Sequence, residues 1–104
     1  MEVVITDQSL TRLEESLHFY ITELEMPVEK AIEIKDTLLH RARSLSGHPY
    51  KGQPEPYLTK LNQGHRRLIE GNFKIVYRIE NEMIYVVDFF DSHQKPDKLL
   101  KRNK

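Results

Sequence analysis

The side chains best suited to chemistry lie in the second half of the sequence: His65, Arg67, Arg78, Tyr85 and His93. Cutting RNA without a metal requires a base for the 2′-hydroxyl proton, an acid for the leaving 5′-oxygen, and cations to stabilise the transition-state charge. An imidazole with a pKa of about 6.5 serves either way at neutral pH, which makes His93 or His65 the candidate for proton transfer. Arg67 and Arg78 would clamp phosphate through their forked donors, and Tyr85 would stack on a base. The same cations suit plain recognition equally well. Arg67, Lys74, Arg78, Tyr85 and Lys95 would then form a surface holding an acidic or apolar element of a partner. The bland reading is a solvated sheet face whose lysines and arginines block edge pairing, with His65 and His93 as ordinary polar residues near strand ends. His18 and His40 fall within helical patterns and His48 in a loop. The histidines lack the spacing of a helical metal-binding pair, so no metal site is expected. With no glycine-rich phosphate loop and no recognisable Ser or Cys nucleophile, no cofactor is expected either.

Composition limits the scaffold that positions these residues. A chain of 104 residues makes one domain, 1–104, with a core large enough to fold alone. Cysteine is absent, which removes disulfides and thiolate metal sites and suits a reducing, cytoplasmic setting. The N-terminus has no basic start, and no apolar run reaches the about 18 residues of a membrane span, so a soluble, unprocessed protein without a membrane partner is expected. The formal net charge is zero, but residues 1–46 carry five Lys/Arg against nine Asp/Glu, and residues 47–104 eleven against seven. Such polarity suits a basic face presented to a phosphate-rich or acidic partner.

The β-branched run "MEVVIT" predicts a first strand. Thr6 or Asp7 then caps a helix with Leu10, Leu13, Leu17, Ile21 and Leu24 on one stripe, ended by Met26-Pro27. Pro27 suits the first turn of a second helix with Val28, Ala31, Ile34, Leu38, Ala42 and Leu45 inward and Gly47 as its C-terminal cap. Two helices joined so tightly predict an antiparallel hairpin. "GHPYKGQPEPY" is too rich in glycine and proline for regular structure and predicts a surface loop. A short strand around Tyr57 to Leu61 follows. The tail "KPDKLLKRNK" predicts one helical turn that docks Leu99 and Leu100, with a fraying basic end.

"HRRLIEGNFKIVYRIENEMIYVVDFF" predicts a three-stranded meander. Gly71-Asn72 supplies a two-residue turn, pairing Glu70 with Phe73, Leu68 with Ile75 and Arg66 with Tyr77. Alternation puts Leu68, Phe73, Ile75, Tyr77 and Ile79 on one face, and His65, Arg67, Ile69, Lys74, Val76 and Arg78 on the other. The helices would cover the first face, leaving the second open as a docking surface. A tight turn at Asn81-Glu82 sets Tyr85 beside Arg78 but drops Asp88 on the core face; a longer loop exchanges the two. Asp88 is then either a buried partner for an arginine or a strand-end residue reaching solvent.

The order strand, helical hairpin, proline-rich loop and meander resembles the RelE/ParE superfamily of toxins from type II toxin–antitoxin systems. "HRRLIEGNFKIVYRI" (His65 to Ile79) is similar to that family's arginine pair, Gly-Asn turn and strand ending in Tyr-Arg. "VVDFFDSHQKPDKL" (Val86 to Leu99) resembles the tail of many members. The likeness covers nearly the whole chain and is closer to the ParE-like than the RelE-like side, through the long helical hairpin and the Gly-Asn turn.

The resemblance implies an α+β domain: an N-terminal strand, an antiparallel helical hairpin, a mainly antiparallel meander in one curved sheet, and a short C-terminal helix or tail. It implies growth arrest, of the kind used in plasmid stabilization, when the chain is freed from a cognate antitoxin that wraps it with a disordered or helical segment. An apolar groove between the helices and the sheet edge is the candidate antitoxin site. ParE-like members inhibit DNA gyrase; RelE-like members cut mRNA on the ribosome. His93 stands where many members carry arginine, and the chain is neutral where ribosome-dependent nucleases are strongly basic. Both departures favour gyrase, with RNA cleavage and a decayed toxin serving only as an interaction module as the alternatives.

Overall fold

The computed structural model describes residues 1–104. Strand β1 (Glu2–Ile5) leads into helix α1 (Asp7–Glu23), which reverses into α2 (Val28–Arg43). After a 3-10 turn at Ser44–Ser46 come β2 (Gln53–Pro54), a 3-10 helix (Pro56–Leu61), β3 (Arg66–Glu70), β4 (Phe73–Glu80), β5 (Met83–Asp91) and α3 (Asp97–Asn103). One sheet runs in the order β1-β5-β4-β3-β2, with β1 parallel to β5 and the other pairs antiparallel. The expected α+β architecture is the observed one.

Thr6 ties the first helix to the sheet. Its hydroxyl accepts from the Ser9 N–H at 3.2 Å, capping α1, and donates to the Val86 carbonyl at 2.8 Å. Leu13, Leu17 and Tyr20 of α1 and Ala31, Leu38 and Ala42 of α2 meet Leu68, Phe73, Ile75, Tyr77, Ile84, Val86 and Phe89 of the sheet in the main core. Each buried leucine or phenylalanine is worth about 1.5–3 kcal/mol over its exposed state. Leu24 and Val28, expected inward, are exposed because they flank the reversal, where Glu25 takes φ 56°. Pro27 is the N-cap of α2, one place before the first turn. Gly47 caps nothing through a left-handed turn: its φ is −88°, and the preceding 3-10 turn has already closed the helix.

Two local expectations are corrected. The proline-rich loop contains regular structure, because Gln53 and Pro54 pair with Arg67 and Arg66 at the sheet edge, where proline's missing N–H costs no ladder bond. The segment from Tyr57 to Leu61 is helical, not a strand. Glu55 accepts from the Tyr57 N–H at 2.9 Å, Pro56 opens the helix, and Leu58 and Leu61, three apart, fall on one side of a three-residue turn.

The Gly71-Asn72 hairpin has the expected register. Asn81 and Glu82, at φ 51° and 62°, make the tight turn that pairs Arg78 with Tyr85. An irregularity between Val76 and Tyr77 then sets Tyr77 opposite Val86 but Val76 opposite Asp88. Val87 is the extra residue, so Asp88 leaves the core face for the second one. Neither turn length alone could have told this.

The second face is not open. The 3-10 helix and α3 lie across it, and Leu58, Val76, Phe90 and Leu99 form a buried cluster there, joined by Leu61, Val87 and Leu100. The basic end of α3 does not fray. Asp88, fully buried, accepts from Arg102 at 2.7 Å, Asn103 at 2.9 Å and Arg12 of α1 at 3.3 Å. Burial holds the Asp88 carboxyl above the usual carboxylate range, against the opposing pull of Arg102, Asn103 and Arg12.

Candidate functional site

The cations of the second face gather on a carboxylate. Glu55, whose side chain is fully buried, lies 2.8 Å from Lys74 Nζ and 3.6 Å from Arg67 Nε through the same Oε1. Arg67 also donates to the Pro54 carbonyl at 2.7 Å, and Lys74 sits 5.2 Å over the Tyr57 ring. Two cations on one carboxylate leave a net positive charge on this part of the surface. Nothing in "QPEPY" marks Glu55 as their partner, since the pairing depends on the edge strand β2 turning it inward.

Arg78 pairs with Glu80 and lies 5.3 Å over the Tyr85 ring, the neighbour that the register demands. Lys95 is exposed in the turn after β5 and makes no ion pair. Arg78, Tyr85 and Lys95 therefore present charge and an aromatic edge outward, while Arg67 and Lys74 also brace the second face.

The two candidate proton-transfer residues stand apart. His65 precedes β3 at the level of Arg78 and Tyr85; His93 follows β5 beyond the Phe73–Asp91 pair. That separation is about 16 Å along the strands, too far for one phosphodiester. His65 is 6% exposed, and burial, with Arg78 nearby, lowers its pKa against the pull of Glu55. His93 is exposed and lies with Nδ1 3.0 Å from Asp91 Oδ1. Tyr20 donates to the other oxygen of Asp91 at 2.5 Å, and burial plus that carboxylate push its phenol well above the usual tyrosine value. The Tyr20–Asp91–His93 cluster joins α1 to the end of β5. Helical spacing gave Tyr20 no chemical role in the sequence, because its hydroxyl partner lies seventy-one positions on.

A groove runs between the helical hairpin and the β3–β4 turn. Tyr20, Met26, Ile34, Leu38 and Phe73 form its apolar floor, with Lys30, Glu33 and Glu70 at the rim. Phe19, Leu24, Val28 and Ile32 are exposed on the same hairpin. The groove lies at the strand ends beside the β3–β4 turn, not along an edge strand as expected. No group of residues is arranged to hold a metal ion, and no helix is long and apolar enough to cross a membrane.

A comparison with curated proteins found no match. The family model described as the ParE toxin of type II toxin–antitoxin system, parDE, matches residues 3–96. That span begins in β1 and ends just before α3, taking in both helices, the full meander and the Gly-Asn turn. The fold, the motif order and this match agree: the chain belongs to the ParE family of toxins of type II toxin–antitoxin systems.

Proposed function

We propose that this toxin arrests growth by binding DNA gyrase rather than by cutting RNA. What supports the reading is that His65 is buried and stands at the opposite end of the sheet from His93, so the two imidazoles cannot serve as acid and base on one scissile bond. The family match supports the same choice. Binding needs no such pair. Arg78, Tyr85 and Lys95 are the leading contacts, and Arg67 and Lys74 add the positive charge left over around Glu55. The groove floored by Tyr20, Ile34 and Phe73 is the seat for an amphipathic segment of the antitoxin.

A supercoiling assay with purified gyrase tests the reading. Wild-type chain inhibits supercoiling, Arg78→Glu and Lys95→Glu together weaken inhibition at least about tenfold by charge reversal at two surface positions, and added antitoxin restores activity. Arg67 is tested as Arg67→Gln, because glutamate there would face buried Glu55 and confuse folding with binding. Undiminished inhibition by the Arg78/Lys95 double variant would move the contact surface elsewhere.

A further inference from the structure

At the end of the sheet where β3 begins, α1, β4, β5 and α3 enclose a polar cleft of about 380 Å³. Arg12, Arg78, Arg102 and Lys104 converge on it together with His65 and Gln63, and no carboxylate lines it. We propose that this cleft binds a phosphate group.

Three features support a built site. The side chains of Arg12, Arg78 and Arg102 are only 16%, 27% and 20% exposed, yet the carboxylates that touch them are Asp88 from beneath and Glu80 beside Arg78. Asp88 alone answers both Arg12 and Arg102, so positive charge is left over. Burial lowers the pKa of Arg12, and Arg102 pushes the same way, against the opposing pull of Asp88 and Glu15. His65, only 6% exposed and lining the cleft, has Nδ1 without a hydrogen-bond partner, and Arg102 Nε is likewise unsatisfied. Buried polar atoms without partners are uncommon and call for an explanation.

A phosphate answers the surplus positive charge of the cleft. Its tetrahedral oxygens accept from forks arriving from α1, β4 and α3, and its charge favours the imidazolium form of the neighbouring His65. The charged groups that face His65 are Arg78 from β4, which lowers its pKa, and Glu55 beside the 3-10 helix, which raises it. A bound phosphate adds a second negative charge and shifts the balance toward the imidazolium. Arg67 does not line this cleft, so its cations differ from the Arg67–Arg78 clamp that strand alternation suggested. The phosphate belongs either to a free nucleotide or to a nucleic-acid backbone.

The test follows the imidazole signals of the whole chain by NMR while inorganic phosphate is added against chloride at matched ionic strength. The His65 signal moves saturably and its pKa rises, while those of His18, His40 and His48 stay fixed and report an intact fold. Arg78→Gln weakens the response about tenfold, the worth of one charge-assisted hydrogen bond; its ion-pair partner Glu80 is 54% exposed, so the fold tolerates the change. Lys104→Gln provides a second variant. A nucleoside monophosphate and a short DNA duplex are then compared: tighter binding of the duplex identifies the backbone as the source, and tighter binding of the nucleotide identifies the free ligand. Absence of a saturable His65 shift, or equal binding by wild type and Arg78→Gln, overturns the proposal. It stands apart from the gyrase reading, since a chain that spares gyrase yet shows the His65 shift keeps its phosphate site.

Discussion

Replacing Asp88 with alanine probes the joint between α1, β5 and the C-terminal helix. The carboxylate is fully buried and receives Arg102, Asn103 and Arg12. Its removal leaves Arg12 and Arg102, with side chains 16% and 20% exposed, without their shared ion-pair partner. Deleting one partner of a buried ion pair costs about 3–5 kcal/mol. Some water reaches both arginines, so the lower end, about 3 kcal/mol, applies here. In a chain of this size that loss lowers Tm by about 12–24 °C. Asp88→Asn is expected to cost distinctly less. Its side-chain oxygen still accepts from Arg102, and the raised Asp88 pKa means that burying the ionised form already carries a penalty which the amide escapes. Urea unfolding at neutral pH, followed by circular dichroism, measures both variants. An alanine variant within about 0.5 kcal/mol of wild type, or an asparagine variant worse than alanine, would refute the reasoning.

Leu99→Ala tests whether the second face is a true core: Leu99 is fully buried against Val76 and Phe90, and a loss of about 2–5 kcal/mol in the same unfolding assay is expected. Gly52→Ala is expected to lose about 1–3 kcal/mol by overpacking, because a Cβ there would stand 2.6 Å from the Tyr77 hydroxyl and 2.7 Å from the Arg67 carbonyl. His65 gives a pH signature. Its folded pKa lies below the unfolded value of about 6.5, so its share of stability is present above that pH and is lost as pH falls through the folded value. Unfolding curves between about pH 7 and pH 5 should therefore fall more steeply for wild type than for His65→Gln, and parallel curves would contradict the burial argument.

The readable parts of the sequence were those where one period or one turn decides the outcome. Leu13, Leu17, Ala31, Leu38 and Ala42 repeat at helical steps and are buried. Gly71-Asn72 fixes a register that carries Leu68 to Ile75 and Arg66 to Tyr77. What escaped depends on an extra residue or on distant chain. The irregularity at Val87 turns Asp88 over, and no propensity marks it within the uniformly apolar "MIYVVDFF". Tyr57 to Leu61 looks like a strand until Glu55 and Pro56 cap it as a helix, and only then do Leu58 and Leu61 close the second face. The same closure turned an expected open docking face into a partly internal one and brought Arg12, of the acidic N-terminal half, beside Arg102.

The central claim is that this toxin acts on gyrase. Pulse labelling of DNA and protein synthesis in the minutes after inducing the chain without its antitoxin tests it most directly. Early loss of DNA synthesis, with protein synthesis falling only later, is the predicted result. Early loss of protein synthesis with DNA synthesis spared would contradict the account and point to RNA cleavage on the ribosome, and loss of neither would contradict it in favour of a decayed toxin.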